Sequence, residues 1–413
     1  MKVIHLSYSD INGGAARATY RIHHALRKEG IDSRMWVNKL SSEDWTVEGP
    51  LNKIDKAFIE LRPRIIKNLL TKTLKTENLI IHSPSVLSSK WVKRINSSDA
   101  DIVHLHWIQG EMLSISDIAK IKKPIVWSPQ DMWIFSGAEH YTNDYRWRDG
   151  YRSDNRPSYE SGFDLNRWTW QRKKKYWQRP IQIIASSQWL ATCVNESLLT
   201  SNWPVSVVPN TINTDYWKPL DKKFARNQLD LPVNSPLVLF GAIGGSKDPR
   251  KGYDLMIDSL KLLQNNPSTK GLELVIFGQH RPQSPPSLGF PVHYMGHLYD
   301  DLSLRALYSS VDAMLIPSRQ DNLPNTGLEA HACATPVIAF NTGGLADIVE
   351  HKSTGYLAKT FNIKDFANGI IWTLEQRAIG QIGKQARQRA VLKFSEKNAS
   401  AYIDIYKKVL NTK

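Results

Sequence analysis

The chain has 413 residues, 41% of them hydrophobic and 23% charged, which fits two globular α/β-sized domains and excludes a disordered or fibrous chain. No apolar run reaches the about 18–20 residues that span a bilayer, and the start "MKVIHLSYSD" lacks a signal-peptide layout, so a cytoplasmic protein is expected. A net charge of +15 asks for an anionic partner; without a helix-turn-helix, zinc-finger or RNP-like pattern, nucleic acid ranks below anionic membrane and phosphorylated substrates.

In chain order, "KVIHLSY" reads as a first buried strand. Gly13 and Gly14 in "INGGAAR" then let the backbone approach a ligand closely before an amphipathic helix begins. No third glycine follows, so this is not the G-x-G-x-x-G dinucleotide fingerprint. "SRMWV" predicts a second strand. Residues 52–76 mix Lys and Arg with Ile, Leu and Phe; they are either a solvated helix face or a surface for anionic lipid headgroups.

"DIVHLHW" (101–107) is a further strand, with His104 and His106 on one side of it. A third metal ligand is not signposted, so no metal is expected; His106 is assigned to the strand end facing a cleft and His104 a structural role. The preceding "DAD" lies at the wrong end of the strand for a ligand and reads as a turn. "PIVWS" (124–128) and "IQIIASS" (181–187) continue the parallel-strand pattern. Between them, 136–165 is a polar, aromatic stretch without periodicity, expected to be a functional or disordered loop. "RKKKYWQR" (172–179) is a second basic cluster, open to the same two readings as the first. The tryptophans crowded between Trp127 and Trp189 mostly fill a core, and some are candidates for a sugar-stacking platform.

"VSVVPNTI" closes the first half, and a hinge is expected near 205–220. The pattern then restarts: "PLVLFGAIG" (236–244), "LELVIFGQ" (272–279), "VHYMG" (292–296), "AMLIPS" (313–318) and "TPVIAF" (335–340) predict strands with helices between them. Strand–helix alternation in both halves argues for two doubly wound α/β domains, whose ligands sit at the carboxyl ends of the strands. The expected division is 1–208, 209–390 and a C-terminal helix within 391–413. The two cysteines, Cys193 and Cys333, lie far apart and suit a reducing compartment.

Three places after strands carry candidate chemistry. In "SRQDNLPNTGLEAHACATPV" (318–337), Asp321 and Glu329 flank a polar turn. Thr326 and Glu329 have capping-box spacing, and equally a loop of amides at a helix start is a ready anion site beside two carboxylates that suit sugar hydroxyls. In "GGSKDPRKGYD" (244–254), Arg250 and Lys251 are either solvated turn charges or cations for a diphosphate. The third place is Gly13–Gly14.

Taken together, Asp321-x7-Glu329 with the following "LEAHACATPVIAFNTGGLADIVEH", the linker "PNTINTDYWKP" and "RKG" (250–252) resemble the motifs of family 4 glycosyltransferases, which have the GT-B fold. "GGAAR" and "PIVWSPQDMW" resemble a bacterial branch that builds exopolysaccharide and O-antigen. The resemblance implies retaining, metal-independent transfer of a sugar from a UDP- or GDP-type donor, with no cofactor. The acceptor would be a saccharide or lipid-linked, at the inner face of the cell membrane. It implies that Glu329 holds the ribose hydroxyls and Asp321 the donor sugar. Amides of Asn322, Leu323, Pro324–Asn325, Thr326, Gly327 and Leu328 would hold the sugar and β-phosphate. Arg250 and Lys251 would face the leaving diphosphate, with Gly13 and Gly14 closing the pocket and the loops of Gly278 and His297 meeting the base.

Three positions depart from the family pattern. Asp321 is one methylene shorter than the usual Glu, and Ala242 stands where many members carry Arg. Gln130 stands where the related branch has His, and it can hydrogen-bond but takes up no proton near neutral pH. Either that histidine's role is orientational, or His106 substitutes, or activity is reduced. Related sequences carry cysteines in the 136–165 region and this chain has none, so no zinc is inferred. A nucleotide-sugar 2-epimerase and a non-catalytic nucleotide-sugar-binding protein are the alternatives.

Overall fold

The computed structural model describes residues 1–241, 248–298 and 300–412, and the chain divides into two compact units. One is Met1–Thr211 with Lys397–Lys413, and the other is Ile212–Glu396. The chain thus leaves the first unit just after the 205–207 strand and returns to it through its last helix.

The first unit is built on β1 (Lys2–Ser9), β2 (Asp32–Lys39), β3 (Val47–Glu48), β5 (Ile102–Leu105), β6 (Ile125–Trp127), β8 (Gln182–Ala185) and β9 (Val205–Val207), with β4 (Leu74–Thr76) and β7 (Glu160–Gly162) paired separately and antiparallel. The main sheet has the order β3-β2-β1-β5-β6-β8-β9 and is parallel throughout. Alternation along the strands sends Ile4, Leu6, Val103, Leu105 and Trp127 into one core and Val3, Ile102, Val126 and Ile184 into the other. The second core is roofed by the Gly14–Lys28 helix and by Tyr402 and Tyr406 of the C-terminal Ala399–Asn411 helix.

The second unit carries β10 (Leu237–Gly241), β11 (Glu273–Phe277), β12 (Val292–Tyr294), β13 (Ala313–Ile316), β14 (Val337–Phe340) and β15 (Gly355–Ala358), parallel in the order β12-β11-β10-β13-β14-β15. Its strands are near-continuous apolar runs because helices cover both faces. In each unit the order reverses beside the first strand, at β1/β5 and at β10/β13, which is where such sheets open a crevice.

Two stretches differ from expectation. Residues 136–165 are tied together around a buried polar centre: Arg146 is 3% exposed and bonds Glu160 Oε1 at 2.7 Å and Asp144 Oδ2 at 3.0 Å, while Tyr151 donates to Glu139. The lack of periodicity reflects chain held by side-chain ion pairs. In the 172–179 cluster Lys173 is fully buried, donating to the Gly137 carbonyl at 2.7 Å and lying 3.9 Å over the Trp133 ring. Lys173 is thus neither solvated nor available to lipid, whereas Lys174, Lys175 and Arg179 of the same cluster are exposed. Among the described residues, no helix is long and apolar enough to cross a membrane.

Candidate functional site

In the second unit, Arg250 and Lys251 stand on a short 3-10 turn, Pro249–Lys251, capped by Asp248, whose side chain accepts from the Arg250 amide. Gly252 ends that turn at φ +66°, and a Cβ there would lie 1.9 Å from the Pro317 carbonyl oxygen at the end of β13. Only glycine lets the cation-bearing turn press against the strand that leads to Asp321. Gly252→Ala is expected to cost more than about 2 kcal/mol, from the left-handed backbone and the clash together, and to show as a clear fall in Tm.

That approach brings three of the predicted residues together. Lys251 Nζ lies 2.5 Å from Asp321 Oδ2, and Arg250 NH1 lies 3.4 Å from Asp321 Oδ1. Burial disfavours the charged carboxylate, but the two cations and the bonds from Lys251 and Ser318 outweigh it and hold the Asp321 pKa below its ordinary value. Arg250 also pairs with Asp248 at 3.0 Å and donates to the Gln320 carbonyl at 3.0 Å. Two cations therefore face two carboxylates. The Asp321 carbonyl is held in turn by the Gly344 amide at 2.9 Å.

Glu329 lies on the helix that follows Asp321 in the chain. The helix runs Asn325–Ala332 with Pro324 at its cap and no side-chain cap bond, so it begins inside the expected loop and Glu329 is its fifth residue. The capping-box reading fails on that register, because the box needs the glutamate at the third position. Glu329 is buried and accepts from the Tyr308 hydroxyl at 2.9 Å. Leu323 and Leu328 point into the core, leaving only their backbone to a ligand. The Gly327 amide donates to the Pro324 carbonyl at 3.0 Å, closing the first turn. Gly278 follows β11, its amide bonded to the Gly296 carbonyl at 2.7 Å, and the exposed His297 packs edge-on to His280 at 5.2 Å. Both residues follow strands of this sheet. Gly244, Gly245 and Ala242 lie outside the described residues.

In the first unit, Gly13 precedes the Gly14–Lys28 helix at φ +100°, while the buried Asp10 accepts the Ser41 and Ser42 amides at 2.9 and 2.7 Å and so shapes the turn. Gln130 follows β6, half-buried, with Nε2 3.5 Å from the Ser128 carbonyl. Beside it Asp131 accepts from Trp107 Nε1 at 3.0 Å and pairs with His140 Nδ1 at 2.6 Å.

His106 departs from its expected place. It is 1% exposed, hydrogen-bonded through Nε2 to His5 Nδ1 at 2.9 Å, and burial first and His23 second push its pKa down to about 3. Its ring faces the covered side of the sheet, so it carries no proton at an open surface. His5, which the sequence reading passed over, makes a three-histidine group with His104 and His106. Its signal was available: parallel pairing places His5 directly beside His104. Tyr308 and His140 were missed as well, since both reach their partners only through the fold.

Two family models match the chain: one described as Glycosyltransferase Family 4 over residues 12–216, and one described as Glycosyl transferases group 1 over residues 237–376. The D-inositol 3-phosphate glycosyltransferase 2 of Catenulispora acidiphila is 26% identical over 217 residues, 49% of this chain and 50% of that protein. The chain thus spans about half the length of the curated relatives it matches. Sucrose-phosphate synthase of Thermosynechococcus elongatus superposes over 100% of both chains with a TM-score of 0.68 at 18% identity. HepE of Anabaena in complex with UDP covers 99% of this chain and 100% of its own, with a TM-score of 0.62 at 16% identity. These likenesses show the two-domain GT-B fold.

Proposed function

The chain belongs to the family 4 glycosyltransferases, and on that premise we propose that it transfers a sugar from a nucleoside-diphosphate donor, with retention and without a metal, to a saccharide or lipid-linked acceptor in bacterial surface polysaccharide synthesis. The observation that carries the reading is the Lys251–Asp321–Arg250 cluster, just ahead in the chain of the helix that bears the buried Glu329. In this reading the donor diphosphate takes Lys251 and Arg250 from Asp321, and the freed carboxylate turns to the sugar. Negative charge growing on the leaving diphosphate then meets two fixed cations, which lowers the barrier because their attraction is strongest in the transition state. Glu329, its second oxygen steadied by Tyr308, accepts from the ribose hydroxyls. The HepE complexes with UDP and UDP-glucose make a uridine diphosphate sugar the first donor to try.

The test is a thermal-shift panel of UDP, GDP, CDP and NAD with EDTA present, on wild type and Glu329→Ala. A nucleoside diphosphate at about 100 times its Kd is expected to add about 2.7 kcal/mol to the wild type and nothing comparable to the variant. A shift with NAD alone, or with none of the four, would sink the reading. Nucleotide binding without turnover of any UDP- or GDP-sugar would favour the binding-protein alternative.

A further inference from the structure

The Gly14–Lys28 helix of the first unit carries His23 and His24 side by side, and both rings reach the segment between β2 and β3. His24 Nε2 lies 2.7 Å from Asp44 Oδ2, and His23 Nε2 lies 2.8 Å from the Thr46 hydroxyl, which itself donates to Asp44 Oδ1 at 2.6 Å. One ligand atom from each of His23, His24 and Asp44 falls within 4.8 Å of the other two. Successive helical residues point about 100° apart, so these two rings meet one carboxylate only because the chain after β2 folds back over them.

His23 is fully buried, whereas the His24 and Asp44 side chains are 36% and 11% exposed, so the group is rooted in the unit and open on one side. Its outer partners are fixed. The Ser33 hydroxyl meets His23 Nδ1 at 2.7 Å, the Thr46 amide donates to Asp44 Oδ1 at 2.8 Å, and the Tyr20 hydroxyl donates to Asp44 Oδ2 at 3.0 Å. Metal ligands carry support of this kind, which sets the direction of ring and carboxylate before an ion arrives. The other histidine group of the unit, His5 with His104 and His106, is at most 1% exposed and offers an ion no open side.

We propose that the first unit binds one divalent transition-metal ion, zinc by its donor set, through the imidazoles of His23 and His24 and the carboxylate of Asp44. Two imidazole nitrogens and one carboxylate oxygen suit zinc, whereas calcium and magnesium take oxygen ligands. Bonds of about 2.0–2.1 Å hold two ligand atoms roughly 3.3 Å apart, so the His24–Asp44 pair opens by about half an ångström. The proton between His24 Nε2 and Asp44 passes to His24 Nδ1, and water fills the fourth position. The ion is a clamp, not a catalyst. It ties the helix to the segment whose Ser41 and Ser42 amides hold Asp10 at 2.9 and 2.7 Å and whose Ser41 hydroxyl accepts from Asn12 Nδ2 at 2.6 Å, and so stiffens the turn that leads into Gly13. The Lys251–Asp321 cluster belongs to the other unit, so metal-independent transfer stands or falls separately.

The probe is zinc chloride, titrated calorimetrically into the full chain after stripping with EDTA and dialysis, with cobalt chloride as a spectroscopic substitute. Wild type is expected to take up a single zinc ion, to melt at a higher temperature with it, and to give visible bands with cobalt. His24→Gln, which can still donate to Asp44, and Asp44→Asn should each weaken zinc binding by about tenfold or more and lose most of the rise in Tm. His24→Gln should melt with the metal-free wild type, which separates lost binding from lost folding. His351→Gln, at an exposed histidine of the other unit, should leave the zinc affinity unchanged. No zinc uptake by wild type, or wild-type affinity in both site variants, overturns the proposal, and so does an equal loss in His351→Gln.

Discussion

Lys251→Ala should lower kcat with the correct donor sugar by about 10²–10³-fold, the effect of removing one preorganised group from a developing negative charge. The same change should also destabilise the second unit. Asp321 is 7% exposed and Lys251 Nζ is its nearest cation at 2.5 Å, so the variant leaves a buried carboxylate with only Arg250 at 3.4 Å. Breaking a buried pair from one side costs about 3–5 kcal/mol, and Arg250 should hold the loss near the lower end. A double variant, Lys251→Ala with Asp321→Asn, separates the two effects. It should regain most of the stability, because no uncompensated charge remains, and none of the turnover. Denaturant melts and single-turnover kinetics on the three proteins check this. Equal loss of stability in single and double variants would show that Lys251 acts through packing, and near-wild-type turnover in either would remove it from the reaction.

Acid should unfold the first unit well above the range where carboxylates protonate. His5, His23, His104 and His106 are fully buried and His82 nearly so. Burial is the first cause of lowered pKa in all five, to about 2 for His23, 3 for His106 and 4 for His82, and well below the ordinary value for His5 and His104. A histidine whose folded pKa is depressed takes up a proton on unfolding once pH falls below its unfolded value near 6.5, so its contribution to stability is lost as pH falls. Glu139, raised to about 7 by burial, and Glu111, raised likewise, act in the opposite direction, because their folded forms hold protons that the unfolded chain releases. The five histidines outweigh the two glutamates, so the unfolded unit binds more protons and stability falls as pH drops below ~6, by about 1.4 kcal/mol per pH unit for each net proton taken up. Tryptophan fluorescence reads this unit almost alone, since only Trp217 and Trp372 lie in the other. His104→Gln can still bond Tyr406 and Ser128 and should shift the midpoint to lower pH. A midpoint below pH 4, or one unmoved by that variant, would contradict the account.

The alternation of strands and helices in both halves of the chain was legible because hydrophobic periodicity is local. "PLVLFGAIG" or "AMLIPS" announces a buried parallel strand from its own residues, and the polar residues just beyond each strand mark where a ligand site can form. Arg250, Lys251, Asp321 and Glu329 were found that way, and the motif spacing named their family. Their pairing was not legible. Lys251 and Asp321 are 70 residues apart, and what joins them is a glycine pressed against Pro317. Nor could spacing tell that the helix starts at Asn325 rather than two residues later, where Thr326 and Glu329 would have formed the capping box that their spacing suggests.

Burial of polar groups escaped the sequence most completely. "RKKKY" looks solvated, yet Lys173 ends among backbone carbonyls of the Trp133–Gly137 segment, and "NDYRWRD" looks like loop, yet Arg146 closes a buried ion pair. His106 was expected at an open strand end and instead meets His5 from 101 residues away, while His104 is held by Tyr406 from the far end of the chain. The sequence by itself determined the strands, the helices and the family, because each is set by neighbours a few residues apart. Only the tertiary structure decided which charges are free to act, because a polar group stays accessible or is taken out of water according to partners that the fold alone brings near.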